Sequence, residues 1–301
     1  MKEEEALQAV AVRPTLAYRA RRWARGAGRS VRAEPLGTAG LAVCLLAIYM
    51  GVLAPWVAPY EPNIVNPAEL LQAPSARHWF GTDDLGRDMY SRIVHGTRVS
   101  LVVAFFAIVI GKVMGYMVGV VSGYIGGRLD MVLQRVVDAM LAFPTILLAL
   151  ALVAMLGSGL DKVVAAISIV FFPSAVRVAR GTVLSVKENV YVDAARVVGA
   201  SNLRIIVRHV LPNSLAPFFI VASAALGSAI LVEASLSFLG LGVPPPHSSW
   251  GRMLAGGAEQ YGLLAPWMVV APGVAIMVLV LAFNLLGDAM RDMLDPRLRG
   301  S

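Results

Sequence analysis

Six long apolar runs divide this chain, and short polar, mostly basic segments separate them. A helix needs about 20 mostly apolar residues to cross the hydrocarbon core of a bilayer. Residues 35–60 carry no charge and hold the first run, and 99–127 carry only Lys112. Residues 139–160 are charge-free, and this third span is expected to begin earlier, with Arg135 and Asp138 paired one turn apart at its polar end. The fourth run, 163–176, is short; the fifth, 214–242, carries only Glu233; the sixth, 260–287, carries no charge. The pattern predicts an all-α membrane protein with six transmembrane helices.

Between the fourth and fifth runs lies a polar, basic island at 191–213. Its pattern predicts a short helix, a break at Gly199 and a second short helix that stops at Pro212. A membrane bundle has no packing need for such an island. Ala194 and Ala195 supply a small-residue face that can press closely against another protein.

Composition agrees with the runs. Hydrophobic residues are 57% and charged residues 15%, with a mean hydropathy of +0.70, whereas soluble domains carry about a quarter charged residues. The net charge of +7 would suit a nucleic-acid binder, but the basic residues cluster beside apolar runs, as topology signals do. With six spans both termini share one side. An internal N-terminus places eighteen Lys and Arg inside and six outside, so both termini and the 181–213 loop are assigned to the cytoplasm. The Arg-rich leader is too long for a signal-peptide n-region, and span 1 reads as an uncleaved anchor. The chain divides into a basic segment at 1–34, a first helix and extracytoplasmic loop at 35–98, a core at 99–290 and a tail at 291–301.

Span 2 carries Gly111, Gly115, Gly119, Gly123 and Gly127 at four-residue spacing. Such a ridge lets helix backbones approach closely where lipid offers no hydrophobic drive. Lys112 beside it faces protein or water, or snorkels to the outer interface; both readings stand. Pro144, Pro173 and Pro272 each remove a helix hydrogen bond and can kink spans 3, 4 and 6. Glu233 either lines a pore or holds the loop at Pro244, Pro245 and Pro246, and the holding role is favoured.

Catalytic motifs are missing. No phosphate-binding loop, nucleophile elbow or zinc-protease motif occurs, so ATP hydrolysis is expected on other subunits and not on this chain. Asp83, Asp84 and Asp88 lack the alternation of a calcium loop. His78, His95, His209 and His247 match no metal-ligand spacing, and Cys44 alone can build neither a disulfide nor a metal site. No metal or cofactor is expected on this chain.

The island resembles the coupling motif of bacterial ABC importer permeases: Asp193-Ala194-Ala195, three residues including Arg196, Gly199-Ala200, then Leu211-Pro212, with Tyr191 just ahead. Asp193 stands where that family more often has Glu, and His209 where many members have an aliphatic residue; both keep the polarity pattern. Further stretches are similar to the dipeptide/oligopeptide/nickel branch. These are His78-Trp79-Phe80-Gly81-Thr82-Asp83-Asp84-Leu85-Gly86-Arg87-Asp88, then Asp138 to Phe143-Pro144, and Glu233-Ala234-Ser235-Leu236-Ser237 running to Gly242. Asn284-Leu285-Leu286-Gly287-Asp288 and Leu294-Asp295-Pro296-Arg297 complete the set. Together they cover most of 36–298 and point to the second, six-helix permease of the pair.

That resemblance implies a type I ABC importer permease fold in the bacterial or archaeal cytoplasmic (inner) membrane. It implies partnership with a second permease, two ATPase subunits that use ATP and magnesium, and an extracytoplasmic substrate-binding protein. It implies ATPase docking at 191–212, with Glu233, Ser237, Phe143 and Pro144 as pore or gate candidates. Gly81, Asp83, Gly86, Arg87 and Asp88 form an extracytoplasmic motif. Peptides are the expected cargo; nickel chelates or other small solutes moved by the same machine are the alternative. A secondary transporter would show an inverted repeat and more intramembrane charge.

Overall fold

The computed structural model describes residues 34–294; the Arg-rich leader and the tail with Asp295, Pro296, Arg297 and Arg299 lie outside them. The described residues form helices joined by loops, the longest over 58–88 with a short 3-10 turn at Pro67–Glu69, and one isolated bridge pairs Thr82 with Asp88. In chain order the helices are α1 (Pro35–Val52), α2 (Ala54–Val57), α3 (Met89–Ile125), α4 (Gly127–Leu141), α5 (Thr145–Leu156) and α6 (Leu160–Val186). There follow α7 (Val190–Val197), α8 (Asn202–Ile205), α9 (Leu211–Phe238), α10 (Trp250–Gly256) and α11 (Trp267–Leu294).

Five helical stretches are long and apolar enough to cross a membrane, and α4 with α5, bent by 97° at their junction, bring the number to six. The packing of α3 on α6 requires that sixth crossing. A side chain added at Gly111, Gly115, Gly119 or Gly123 would meet the backbone of Ser168, Phe172, Val176 or Arg180 respectively. Both series rise together in steps of four, so the two helices run side by side in the same direction. A chain that leaves α3 on one side of the membrane must return before it starts α6, and α4–α5 is the segment that makes the return. The sharp corner falls at Ala142-Phe143-Pro144, because proline supplies no N–H and disfavours helix in the residue before it. Pro173 and Pro272, by contrast, lie inside unbroken helices.

Several expected boundaries move. The first span ends at Val52, and α2 follows after a break at Leu53. Helix α3 begins at Met89 rather than 99, because Asp88 caps its start by accepting from the Ser91 N–H at 2.7 Å. Its 37 residues span about 55 Å, well beyond the roughly 30 Å hydrocarbon core. Helix α6 continues ten residues past Val176 to Val186, because its polar end is paired. Arg180 holds Asp130 through Nε at 2.7 Å and Nη2 at 2.6 Å, and Lys187 Nζ donates to the Gly123 carbonyl at 3.2 Å. Asp138 pairs with Arg177 at 2.5 Å and not with Arg135. Both partners are exposed, and the guanidinium comes from the neighbouring helix α6; a one-turn pair would be worth only a few tenths of a kcal/mol and does not hold Asp138.

Around this seam α9 and α11 pack on each other, and α1 closes against α11, with Gly37 against Ala289 and Gly40 against the Ala282 carbonyl. The glycine seam yields a direct test. Gly119→Ala is expected to lower unfolding stability by about 1–3 kcal/mol through overpacking. Gly256→Ala, where a methyl would meet nothing within 4 Å, is expected to be neutral or slightly stabilising. Thermal unfolding in detergent micelles checks both; equal behaviour of the two variants would refute the seam.

Candidate functional site

The polar island folds into a compact elbow outside the helix bundle. Asn189 ends α6 by donating from Nδ2 to the Ser185 and Val186 carbonyls at 3.2 and 2.9 Å. Helix α7 then turns Val192 and Ala195 inward onto Tyr116, Val120, Ala179, Val183, Ile205 and Val210. It closes through two reciprocal bonds, Gly199 N–H to Arg196 O at 2.9 Å and Ala200 N–H to Ala195 O at 3.0 Å. With Gly199 at φ +82° this is a Schellman end, and glycine fits because the left-handed backbone carries no Cβ penalty there. Ser201 opens α8 by accepting from the Arg204 N–H at 3.4 Å.

The second helix does not stop at Pro212. It passes through a wide turn at Ile206–Val210 into α9 without a break. The widened turn absorbs the donor that proline lacks, and Asn213 Nδ2 donates to the His209 carbonyl at 2.6 Å. A push on α7–α8 is therefore carried along the axis of a spanning helix.

The two alanines also separate. Ala195 is buried, and Ala194 faces out with Asp193, Arg196 and Gly199. Adjacent residues on a helix lie about 100° apart, so one face holds only one of them. The outward surface is apolar at Val190, Val197 and Val198, each more than four-fifths exposed, and at Leu203 and Val207. Asp193 accepts from Arg196 at 2.8 Å at its edge. Tyr191 is partly exposed, with its ring 6.1 Å from that of His209.

What holds the elbow to the bundle was not read from the chain. Tyr116 Oη donates to the Leu211 carbonyl at 3.2 Å and lies 2.6 Å from Ser214 Oγ, while Tyr124 Oη donates to Asn202 Oδ1 at 3.1 Å. The available signal was the rule that a tyrosine inside an apolar run must find a partner for its hydroxyl.

The remaining candidates fall into separate places. Glu233 is fully buried, with Ser237 Oγ at 2.8 Å and Ser100 and Ser249 Oγ each at 3.1 Å from its carboxylate oxygens. Ser249 precedes α10, whose Trp250 Nε1 donates to the Ile93 carbonyl at 3.0 Å, so the cluster clamps the outer loop to α9 and α3. Arg252 on α10 donates to the Val243 carbonyl; burial pushes its guanidinium below the ordinary value, and Glu233 partly offsets this. Phe143 is exposed at the α4–α5 corner with Pro144, apart from Glu233 and Ser237.

The motif at 81–88, expected to be extracytoplasmic, forms a tight knot. Gly81 and Gly86 take φ +72°. Asp83 accepts from the Leu85 and Arg87 N–H groups, both at 2.9 Å, and pairs with Arg87 Nε at 2.7 Å. Asp88 caps α3 and holds His78 Nδ1 at 2.8 Å, with Glu69 3.4 Å from the other ring nitrogen. His95 and His247 share a separate cavity of about 420 Å³ with Arg98. Among the described residues no group of three or more His, Cys, Asp or Glu could hold a metal ion.

The fold is that of a polytopic helical membrane protein, with the 190–213 elbow leading into the last but one of its long apolar helices. A family model described as "binding-protein-dependent transport system inner membrane component" matches residues 115–300, and one described as "N-terminal TM domain of oligopeptide transport permease C" matches 22–74. A dipeptide transport system permease of Alkalihalophilus pseudofirmus is 44% identical over 91% of this chain and 90% of its own length. A di/tripeptide permease of Pseudomonas aeruginosa is 44% identical over 87% and 88%. A glutathione transport permease of Pectobacterium atrosepticum is 42% identical over 90% of each. A solved structure of the MetNI methionine ABC transporter in inward-facing form shares the fold, with a TM-score of 0.58 and 20% identity over 69% of this chain and 98% of that one. The chain belongs to the family of binding-protein-dependent transport permeases, within its ABC peptide importer branch.

The Glu233 clamp gives the test of this site's outer half. Glu233→Ala leaves three buried hydroxyls without their partner, and a buried polar group left unsatisfied costs about 1–3 kcal/mol. Thermal unfolding is expected to show a loss of at least that size, and Glu233→Gln a smaller one. An unchanged midpoint for the alanine variant would remove the clamp role.

Proposed function

We propose that this chain is one of two membrane subunits of an ATP-driven importer of di- and oligopeptides, and that its 190–213 elbow receives the stroke of a cytoplasmic ATPase. The observation that carries the reading is the elbow itself: an ordered, tethered segment whose outward face is apolar and uncovered. Exposed apolar surface rimmed by polar residues marks a protein contact. Val190, Val197 and Val198 form the greasy centre, and Asp193 and Arg196 form its charged edge.

The geometry converts docking into helix motion. The elbow is tied to α3 through Tyr116 and Tyr124, and it continues without interruption into α9. A displacement of α7 therefore tilts α9 against the α3–α6 seam instead of being lost in a loose loop. In this reading ATP and magnesium act on two separate ATPase subunits, and a second permease completes the pathway. An extracytoplasmic binding protein delivers cargo to the face built by the Asp83–Asp88 knot, and both termini lie in the cytoplasm of a cell with the chain in its cytoplasmic membrane. Relatives named for dipeptide, di/tripeptide and glutathione transport support small peptides as the cargo class. Nickel chelates and other small solutes are outcomes of the cargo test.

The test begins with co-purification of this chain with the products of neighbouring genes, followed by ATPase assays in lipid with loaded binding proteins. Stimulation by a peptide-loaded binding protein is the expected result, and failure to recruit any ATPase would overturn the reading. A second test bears on the elbow. A Cβ added at Gly199 meets nothing within 4 Å, so Gly199→Val is expected to keep the packing around it. A β-branched residue at positive φ nevertheless costs about 1–2 kcal/mol, enough to move a two-state geometry by roughly 5- to 30-fold. Uptake is expected to fall by that order while ATP hydrolysis persists; normal coupled uptake would sink the docking assignment.

A further inference from the structure

Lys112 stands in the inner half of α3 with 2% of its surface exposed. Its ammonium donates to Ser174 Oγ at 2.6 Å and sits 5.6 Å from the centre of the Phe171 ring. Among the described residues no carboxylate lies within salt-bridge distance of it. An ammonium has three donors; one hydroxyl and one ring face leave two donors and most of the charge unmatched. A lysine at membrane depth is expensive unless a counter-charge or water compensates it.

The side chain does not snorkel. It opens into the largest cavity described, about 820 Å³, which also takes in Asn213, Ser228, Asp288 and Arg291. Two cations against one carboxylate give this cavity a positive surplus. On α9, Asn213, Ala224 and Ser228 are exposed on one face, and on α11 so are Asn284, Asp288 and Arg291. Helix α1, by comparison, exposes Leu41, Leu45, Leu46 and Ile48. Small and polar side chains in the outward row of a spanning helix face protein or water, since hydrocarbon would leave them unsatisfied.

We infer that this cavity is an oxyanion site inside the membrane pathway, in which Lys112 Nζ receives a carboxylate or phosphate group. The C-terminal carboxylate of a peptide in transit and the phosphate of an anionic lipid headgroup share that chemistry. The cargo arm rests on the peptide-import reading; the site itself does not. Lys112 lies one turn from Tyr116 and shares the cavity with Asn213 at the end of the elbow; it binds by charge and not by shape, which suits cargo of varied side chains with a constant terminus.

The experiment uses the purified complex of this chain with its partner permease and ATPases, as wild type, K112M and K112R. Thermal unfolding is followed with alanyl-alanine, with its C-terminal amide, and with dioctanoyl phosphatidylglycerol or phosphatidylcholine. The free-acid dipeptide alone raising the midpoint assigns the site to cargo carboxylate, and phosphatidylglycerol alone assigns it to lipid. In either case the shift is absent in K112M and kept in K112R. No shift with any probe, or an equal shift in K112M, overturns the proposal. If K112M fails to assemble, K112Q keeps the polar reach without the charge and is scored the same way. In proteoliposomes, loss of one charge-assisted bond is expected to slow uptake of the free-acid peptide about tenfold or more in K112M, with K112R close to wild type. A wild-type complex that carries no peptide from any loaded binding protein would defeat the import reading, while the unfolding series would still decide the site.

Discussion

Everything in this fold hangs on the close approach of α3 to α6. Lipid tails are as apolar as leucine, so helices in a bilayer are not driven together by burial and must gain from contact itself. Four glycines one turn apart remove the side chains that would hold the two axes apart, and the carbonyl rims of Ser168, Phe172, Val176 and Arg180 occupy the vacated space. That register then places everything nearby. It sets Lys112 against Ser174 and brings Arg180 to Asp130 and Lys187 to the Gly123 carbonyl. One turn inward of Lys112, it presents Tyr116 to the start of α9. The same-direction packing also dictates topology, because two parallel neighbours need a returning segment between them.

The two ends of the seam are finished differently. At the Glu233 end most buried polar groups have partners, Asp83 with backbone donors and Arg87, Asp88 with His78, and Glu233 with three serines, while His78 Nε2, Arg92 Nε and Ser248 Oγ make no hydrogen bond among the described residues. Breaking such matches leaves groups that water cannot reach, which makes this end rigid. At the inner end the elbow is anchored by a few hydroxyls and a small apolar cluster, and its far side is left uncovered. A stiff clamp at one end with a tethered elbow at the other suits the proposed reading, in which the chain is pushed from the elbow side.

The apolar runs and four of the five glycines of the ridge were legible because each is a one-dimensional signal; Gly127 falls beyond the end of α3 and begins α4, at positive φ and against nothing. Charge-free length locates spans, and a four-residue repeat marks one face of a helix whatever its partner is. The turn of α7 and its glycine end were legible for the same reason, since a Schellman end is local. Contacts between elements were not. Asp138 has an arginine on its own helix and another on α6, and only the packing of α4 against α6 decides for Arg177. Pro212 reads as a stop by local rules, yet a widened turn one residue earlier lets the helix continue. Ala194 and Ala195 look alike in the chain, and the direction of the core separates them. Helix ends moved wherever a cap or an ion pair carried regular structure past the apolar run, as Asp88 does for α3 and Arg180 and Lys187 do for α6.

The polar row on α9 and α11 argues that this chain is half of an enclosure. Asn213, Ser228, Asn284 and Asp288 occupy an open face of helices that otherwise meet the demands of a bilayer. Left against hydrocarbon, each would cost free energy with nothing gained in return. The row is continuous with the cavity around Lys112, so the same solution serves both: a facing wall of protein, with water or a polar passenger between. One chain with six crossings builds only one such wall. In the import reading proposed above, a second permease supplies that facing wall, and the elbow at the start of α9 moves the first wall relative to it.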